Sequence, residues 1–541
     1  MKKFISILLC AVLALSLFTA CGDDSDAPYV PTGDALSYGE DYTGPAVTEP
    51  VEKEEQDLSL VYYAEESMHP YVSTNFTNRM LFSLIYQSLF VVDKDYNVHP
   101  MLCSSYTRSR DLKRYDFYID ENARFSDGSP VTAQDVVASL TAARSSTLLS
   151  GRFRHVRGIS VTDDGAVRIS LYNPSDSLPL LLDIPITKEV IVAAPLETEG
   201  EADADTEPEP EPNPQLEFPL GSGPYYWDAT GPSPRLVRNN FWWCKSEDLL
   251  ITDKEITLVA AESPSHIRDQ FEFEDVGLVC ADPGSDSYAD YRCDFELWEC
   301  ETGMFVFLTP NKNSGIFSNR ELRVALTYAI DRNLLVDKYY RGFARGASLP
   351  ASPASPYYNL SLSEKYDFDQ DQFSIAVRNA GVQGRTVKLL VNSNDSLRTR
   401  AAREIALMLN NCGLVVEVDA KPSSAYLKAL RNGEFDLYLG QTKLSANMDL
   451  TAFFTENGNM AFGELNDPET LMLCTQSLEN IGNYYTLHKT IMDEGMFCPV
   501  LFRSYAVYAE RGLLTDLQPS RDNVCFYTIG KDMTSALKSD R

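Results

Sequence analysis

The sequence holds only five histidines and four tryptophans in 541 residues. It contains no Gly-x-Ser-x-Gly elbow, no Walker A loop, no His-Glu-x-x-His and no Gly-x-Gly-x-x-Gly. The signatures of serine hydrolases, nucleotide phosphate loops, zinc proteases and dinucleotide folds are thus missing together. His99 and Cys103 stand four apart, but Pro100 between them breaks the regular helix that would align a base with a thiol. No set of side chains assembles a catalytic constellation, and no enzyme activity is expected. Positive charge is also scarce, with 47 Lys and Arg against 78 Asp and Glu, a net −31. Such a balance disfavours nucleic acid, whose phosphates need Lys and Arg.

The acidity is concentrated. Asp23–Asp57 carries eleven acids against Lys53, and Glu197–Glu217 carries nine acids and no base. The first segment lacks periodicity and is predicted to be a disordered tether over residues 21–57. The second, with Pro and Glu alternating at Glu207–Pro212, cannot build a core and reads as an insertion over residues 195–218. Ahead of both, Lys2 and Lys3 precede the apolar run Phe4–Leu17 and the small residues Thr19 and Ala20. This is the pattern of a signal peptide over residues 1–20. Cleavage before Cys21 would leave an N-terminal cysteine, as in bacterial lipoproteins, with a lipid anchor on the outer face of the cell membrane. Nine cysteines remain beyond Cys10 and Cys21, an odd number with irregular spacing and no CxxC. Cys280, Cys293 and Cys300 with His266 match no zinc spacing, so no metal and no cofactor is expected. Small buried apolar residues is the reading that fits these thiols.

The folded part begins at Leu58. Tyr115, Phe117 and Ile119 alternate with polar partners, predicting a half-buried strand. Ser126–Pro130 is turn chemistry, and Thr132 with Asp135 forms a capping box for a helix bearing Val136, Val137, Leu140 and Ala143 on one face. Asn75 or Thr77 caps an earlier helix whose apolar face is Leu81, Leu84, Ile85 and Leu89. Asp164-Gly165 turns a hairpin within Gly158–Tyr172. Ser318 and Glu321 form a second capping box before Leu322, Ala325, Leu326, Ala329 and Ile330. From Val387 onward strand and helix alternate as β-α-β-α-β, which predicts a parallel sheet with its ligand edge beyond the strands' C-terminal ends, at Gly440–Asp449.

FSDGSPVTAQDVVASL, GSGPY at Gly221–Tyr225 and RELRVALTYAIDRN, in this order, resemble the signatures of the extracellular solute-binding proteins, family 5, of peptide-type ABC importers. The resemblance covers about Leu58–Asp532 apart from the acidic insertion. It implies an α/β, two-lobed, periplasmic-binding-protein-like fold (type II, large peptide-binder class) with an extra subdomain in the first lobe. Residues 58–282 would form lobe I, with the subdomain at about 80–218. Residues 283–498 would form lobe II, and 499–541 would return to lobe I. The implied function is capture of a peptide between the lobes and delivery to a membrane permease by a monomeric, lipid-anchored receptor. The alternatives are the same fold with a metal chelate, an oligosaccharide or a signalling peptide, and a surface protein with a degenerate cleft. In the family an acid after the third β-α strand pairs with a peptide's amine, and Asp449 stands at the matching place before Phe453-Phe454. The same carboxylate is equally placed to cap Leu450–Phe454, and both roles stay open. Gln441 and Lys443 at the strand end, with Asn75 and Tyr86 in the early segment, complete the candidate ligand contacts. Trp242 and Trp243 read as core rather than as a stacking wall.

Overall fold

The computed structural model describes residues 58–188, 218–244, 248–456, 458–514, 517–521 and 523–528. The signal peptide, Cys21, the tether and the acidic insertion up to Glu217 lie outside the described residues.

One mixed sheet of eleven strands organises the two lobes. At one end Val415–Lys421, Thr386–Asn392 and Leu437–Lys443 lie parallel, with Thr386–Asn392 in the middle. These are the three strands expected from the β-α-β-α-β run. Ser396–Asn411 and Ser423–Asn432 are its helices, the second closed by Gly433 at φ 66°. At the other end Ser59–Tyr62 lies parallel to Leu278–Ala281 and Glu255–Ala260, followed by the antiparallel strands Arg235–Arg238 and Tyr225–Asp228. Two long antiparallel strands, Phe295–Pro310 and Cys498–Glu510, run through both halves. Their register slips between Glu301 and Met304, where Gly303 takes φ +72°. A bulge of this kind bends both strands and sharpens their twist. Lys443 pairs with Met304, so the third parallel strand ends at the bulge.

The extra subdomain is a four-stranded antiparallel sheet, Cys103–Arg108, Arg114–Ile119, Val167–Leu171 and Val156–Val161, under the helix Ala133–Ser145. Tyr115 and Phe117 face inward, Tyr115 stacked on both Phe117 and Tyr106, while Asp116 faces out to Arg168. The Thr132–Asp135 capping box forms as expected. Each half of the main sheet and the subdomain has its own apolar core. All nine described cysteines are free, and seven are buried.

Two local expectations change. Ser318 ends a 3-10 turn, its hydroxyl donating to Gly315 O at 3.0 Å, and Asn319 caps the helix Arg320–Ala325 instead. The helical face at Leu81–Leu89 divides into Phe76–Met80 and Phe82–Ile85, and Leu89 falls beyond it, directly before the strand Phe90–Val92. The chain turns after Ile85 because Gly221–Gly223 crosses there. A Cβ on Gly221 would sit 1.9 Å from Ile85 O, and one on Gly223 2.4 Å from Leu84 O. Only glycine admits this backbone approach. Gly221→Ala is therefore expected to lower stability by at least ~1–3 kcal/mol, the range for overpacking. An unchanged urea midpoint would contradict the close approach.

Candidate binding cavity between the lobes

The chain leaves the strand Leu437–Lys443 at the bulge and enters the loop Leu444–Leu450. Leu444, Ala446, Met448 and Leu450 are buried, so this loop is fixed by its own apolar side chains. Tyr484 donates to Asn447 O, and Asn447 Nδ2 donates to Ser177 Oγ at 3.1 Å. Asp449 follows, with a side chain 7% exposed. Its Oδ1 accepts the Thr451 backbone N–H at 2.8 Å, a contact two residues ahead in the chain; the N-cap of the short helix Thr451–Phe454 is Leu450, so Asp449 does not cap it as expected. Its Oδ2 accepts from Arg154 Nη1 at 3.3 Å and lies 3.0 Å from His155 Nε2, across nearly 300 residues of sequence. Burial pushes this carboxyl's pKa up, but the His155 hydrogen bond and charge, the Arg154 charge and the Thr451 N–H together hold it well below the usual carboxylate range.

Beside Asp449 lies a cavity of about 100 Å³. One wall is Leu148–Arg154 of the subdomain, and the opposite wall is Thr442–Phe453. Its charged lining is Arg79, Arg152, Arg154, Lys443 and Arg521, against Asp449. The cations are held from behind. Arg79 Nη1 donates to Ser73 O at 3.2 Å, Arg152 pairs with the buried Asp183, and Arg521 Nη2 donates to Leu444 O at 2.6 Å.

The other expected residues are spread along the junction. Gln441 Oε1 accepts from Arg503 Nη1 at 3.3 Å, and Arg503 pairs with Asp282 at 2.7 Å. This bridge links the third parallel strand to the end of Leu278–Ala281. Asn75 caps Phe76–Met80, accepting from Asn78 N at 3.1 Å, and lines a second cavity of about 190 Å³ with Phe76, Tyr288, Tyr291 and Tyr505. Tyr86 lies in the first lobe's core, its ring edge-on to Phe82, and burial pushes its hydroxyl pKa far up. The structure thus brings Lys443 and Asp449 together and leaves Gln441, Asn75 and Tyr86 elsewhere. Trp243 donates to Gln87, and Trp242 packs against Tyr527. His99 is tied to Asp93 at 2.9 Å. Among the described residues no group of three His, Cys, Asp or Glu could hold a metal ion. Arg79, Arg152, Arg154, His155 and Arg521 were not among the candidates read from sequence. The one signal for them is the Arg152-x-Arg154-His155 cluster, basic within an acidic chain.

A sheet shared by two lobes, with a polar cavity walled from both, defines a binding protein of the two-lobed periplasmic type. Residues 97–459 match the bacterial extracellular solute-binding proteins, family 5, middle region, and the chain belongs to that family. It is 22% identical over 458 residues to the nickel-binding periplasmic protein of Escherichia coli (strain K12), covering 79% of this chain and 83% of that protein. It is 23% identical over 314 residues to the glutathione-binding protein GsiB of Salmonella typhi, covering 56% of this chain and 57% of that one. Among solved structures, the ABC transporter substrate-binding protein CtaP of Listeria monocytogenes superposes with a TM-score of 0.68 at 18% identity, over 89% of this chain and 99% of that one.

Proposed function

We propose that this solute-binding protein serves an ABC importer, capturing a peptide between its lobes and handing it unaltered to a membrane permease. The observation that carries this reading is the cavity walled by the subdomain and by the loop after Leu437–Lys443, where a parallel sheet offers its ligand edge. In this reading lobe I is residues 58–282 and 499–541, lobe II is residues 283–498, and the bulge at Glu301–Met304 is where closure bends the sheet. A ligand that touches both walls favours the closed form, because only differential affinity shifts such an equilibrium. The receptor works as a monomer on the outer face of the membrane, held by a lipid on Cys21.

Thermal-shift screening of the processed protein tests the ligand class. The arms are a pool of short peptides, glutathione, nickel with histidine, and an oligosaccharide mixture. A peptide at a hundred times its Kd should add about 2.7 kcal/mol of stability. A shift with nickel or sugars and none with any peptide would replace the peptide by that solute.

A further inference from the structure

We propose that a polar groove at the end of the parallel strands remote from the bulge binds a neutral oligosaccharide, at a site separate from the cavity beside Asp449. The groove has a volume of about 500 Å³, inside the range of about 300–1,000 Å³ for small-molecule sites. Three loops wall it: residues 311–315 after the strand Phe295–Pro310, residues 430–433 at the end of the helix Ser423–Asn432, and residues 461–466 before the helix Pro468–Glu479. Leu437 pairs with Pro310 at this end, and Lys443 pairs with Met304 at the bulge. Six residue steps of strand, about 20 Å, therefore separate the groove from the cavity between the lobes.

The chemistry of the lining selects the ligand. Its only charged side chains are Arg431 and Glu464, one of each sign. An anion or a cation gains little from so balanced a pair, and one carboxylate offers too few oxygens for a calcium-type ion. An apolar solute finds only Phe462, Ala461 and the buried Leu430. Amide side chains dominate instead: Asn311, Asn313, Asn432 and Asn466. An amide carries donor hydrogens and an acceptor oxygen side by side, and a sugar hydroxyl both donates and accepts, so one amide serves two neighbouring hydroxyls. Asn313, Arg431 and Asn466 are exposed, and their side chains make no hydrogen bond to another described residue. Asn432 gives one N–H to Glu434 at 2.8 Å and keeps its carbonyl oxygen for a ligand. Phe462 supplies a ring against which the C–H face of a sugar packs.

The groove is held ready by its floor. Asn311 is buried and spends its amide on the protein. Its Nδ2 donates to Gly433 O at 3.2 Å and to Phe435 O at 3.1 Å, and its Oδ1 accepts the Asn313 N–H at 3.1 Å. The Lys312 N–H donates to Gly463 O at 3.2 Å. One buried asparagine and one backbone bond thus tie the three loops together. Gly463 and Glu464 take left-handed φ of 76° and 62°, a conformation that a non-glycine residue seldom adopts. Groups fixed before the ligand arrives lose less freedom when it binds.

Saturation-transfer NMR titrations of the processed protein with maltotriose, cellotriose and chitotriose test the assignment. At least one trisaccharide is expected to bind. The double variant Asn313→Ala/Asn466→Ala, at two exposed positions, should weaken it about tenfold, the equivalent of two lost hydrogen bonds, and keep the wild-type urea midpoint. Arg431→Gln gives a second reading at an exposed side chain and should also cost about tenfold, a charged donor counting roughly double. The double variant should keep its thermal shift with any peptide that stabilises wild type, since neither residue lines the cavity beside Asp449. A trisaccharide that binds both variants as tightly as wild type occupies another site, the cavity between the lobes included, and overturns the proposal. Failure of all three to bind overturns it as well, and the thermal-shift screen then still judges the receptor role.

Discussion

Asp449→Ala is expected to destabilise the unliganded protein by about 2–5 kcal/mol at pH 7, the range for truncating one member of a buried, hydrogen-bonded charge pair. The carboxylate joins three groups at once. The Thr451 N–H belongs to its own loop, whereas Arg154 and His155 belong to the subdomain on the far wall of the cavity. Losing the Thr451 N–H hydrogen bond alone would remove ~1 kcal/mol. The larger figure comes from leaving the Arg154 guanidinium without its counter-charge and the His155 ring without its hydrogen-bond partner, at a place where the Asp449 side chain is 7% exposed. The effect has a signed pH dependence. Asp449 has a folded-state pKa below its unfolded value, so its contribution is complete above that unfolded value of about 4. The contribution falls away as acid is added through the window below it. Urea denaturation of wild type and Asp449→Ala should therefore show a gap that is constant from pH 7 to pH 5 and narrows below pH 4. A loss near 1 kcal/mol with no narrowing would mean that the residue serves the Thr451 N–H and nothing more. Since the contact spans the cavity, the Ala variant should also open: its radius of gyration in solution should exceed that of wild type without ligand.

The contrast between the local Thr451 hydrogen bond and the clasp to Arg154 and His155 shows what was legible in the sequence. Features written in neighbouring residues could be read. Thr132 and Asp135 are three apart, and their box follows from that spacing. The order of strands and helices after Val387 follows from local periodicity, as does the Gly433 stop, because the left-handed φ there needs glycine. The hydrogen bond from Thr451 N–H to Asp449 is also local. Features created by distant pairing could not be read. The bulge at Glu301–Met304 exists only because that strand pairs with one some 200 residues later. The cation-lined cavity joins residues 79, 152, 154, 443 and 521, and no window of sequence contains them together. Tyr86 shows the same limit from the other side. Its neighbours made it a candidate, and the crossing of Gly221 over Ile85 and Tyr86 places it in the core. Even the shift from Ser318 to Asn319 has this origin in part, since the turn that employs the Ser318 hydroxyl is anchored by Ser314 to Asp436.

His488→Leu is expected to stabilise the protein, and to do so more in acid. His488 lies on the helix Tyr484–Asp493, is 0% exposed, and touches the Tyr484 ring edge at 5.6 Å between centroids. Neither of its ring nitrogens has a hydrogen-bond partner among the described residues. A neutral imidazole carries one donor and one acceptor, and each buried polar group left unmatched costs about 1–3 kcal/mol. Leucine has a similar volume and no polar atom, so the swap at pH 7 should raise stability by about 1–3 kcal/mol once imperfect packing is counted. The pH term adds to this. Burial drives the His488 pKa down to about 3, whereas in the unfolded chain it stays near 6.5. Between those values the unfolded state binds the proton and the folded state does not, so wild-type stability falls as pH drops through that window, by up to ~1.4 kcal/mol per unit. At pH 5 the variant should therefore gain about 2 kcal/mol beyond its advantage at pH 7. Chemical denaturation at pH 7, 6 and 5 reads both effects, the offset and the slope. A variant that is less stable at pH 5, or that keeps the wild-type slope between pH 7 and 5, would show that the imidazole is matched by a buried water and titrates with it, and that this position is not an unsatisfied base in the core of the second lobe.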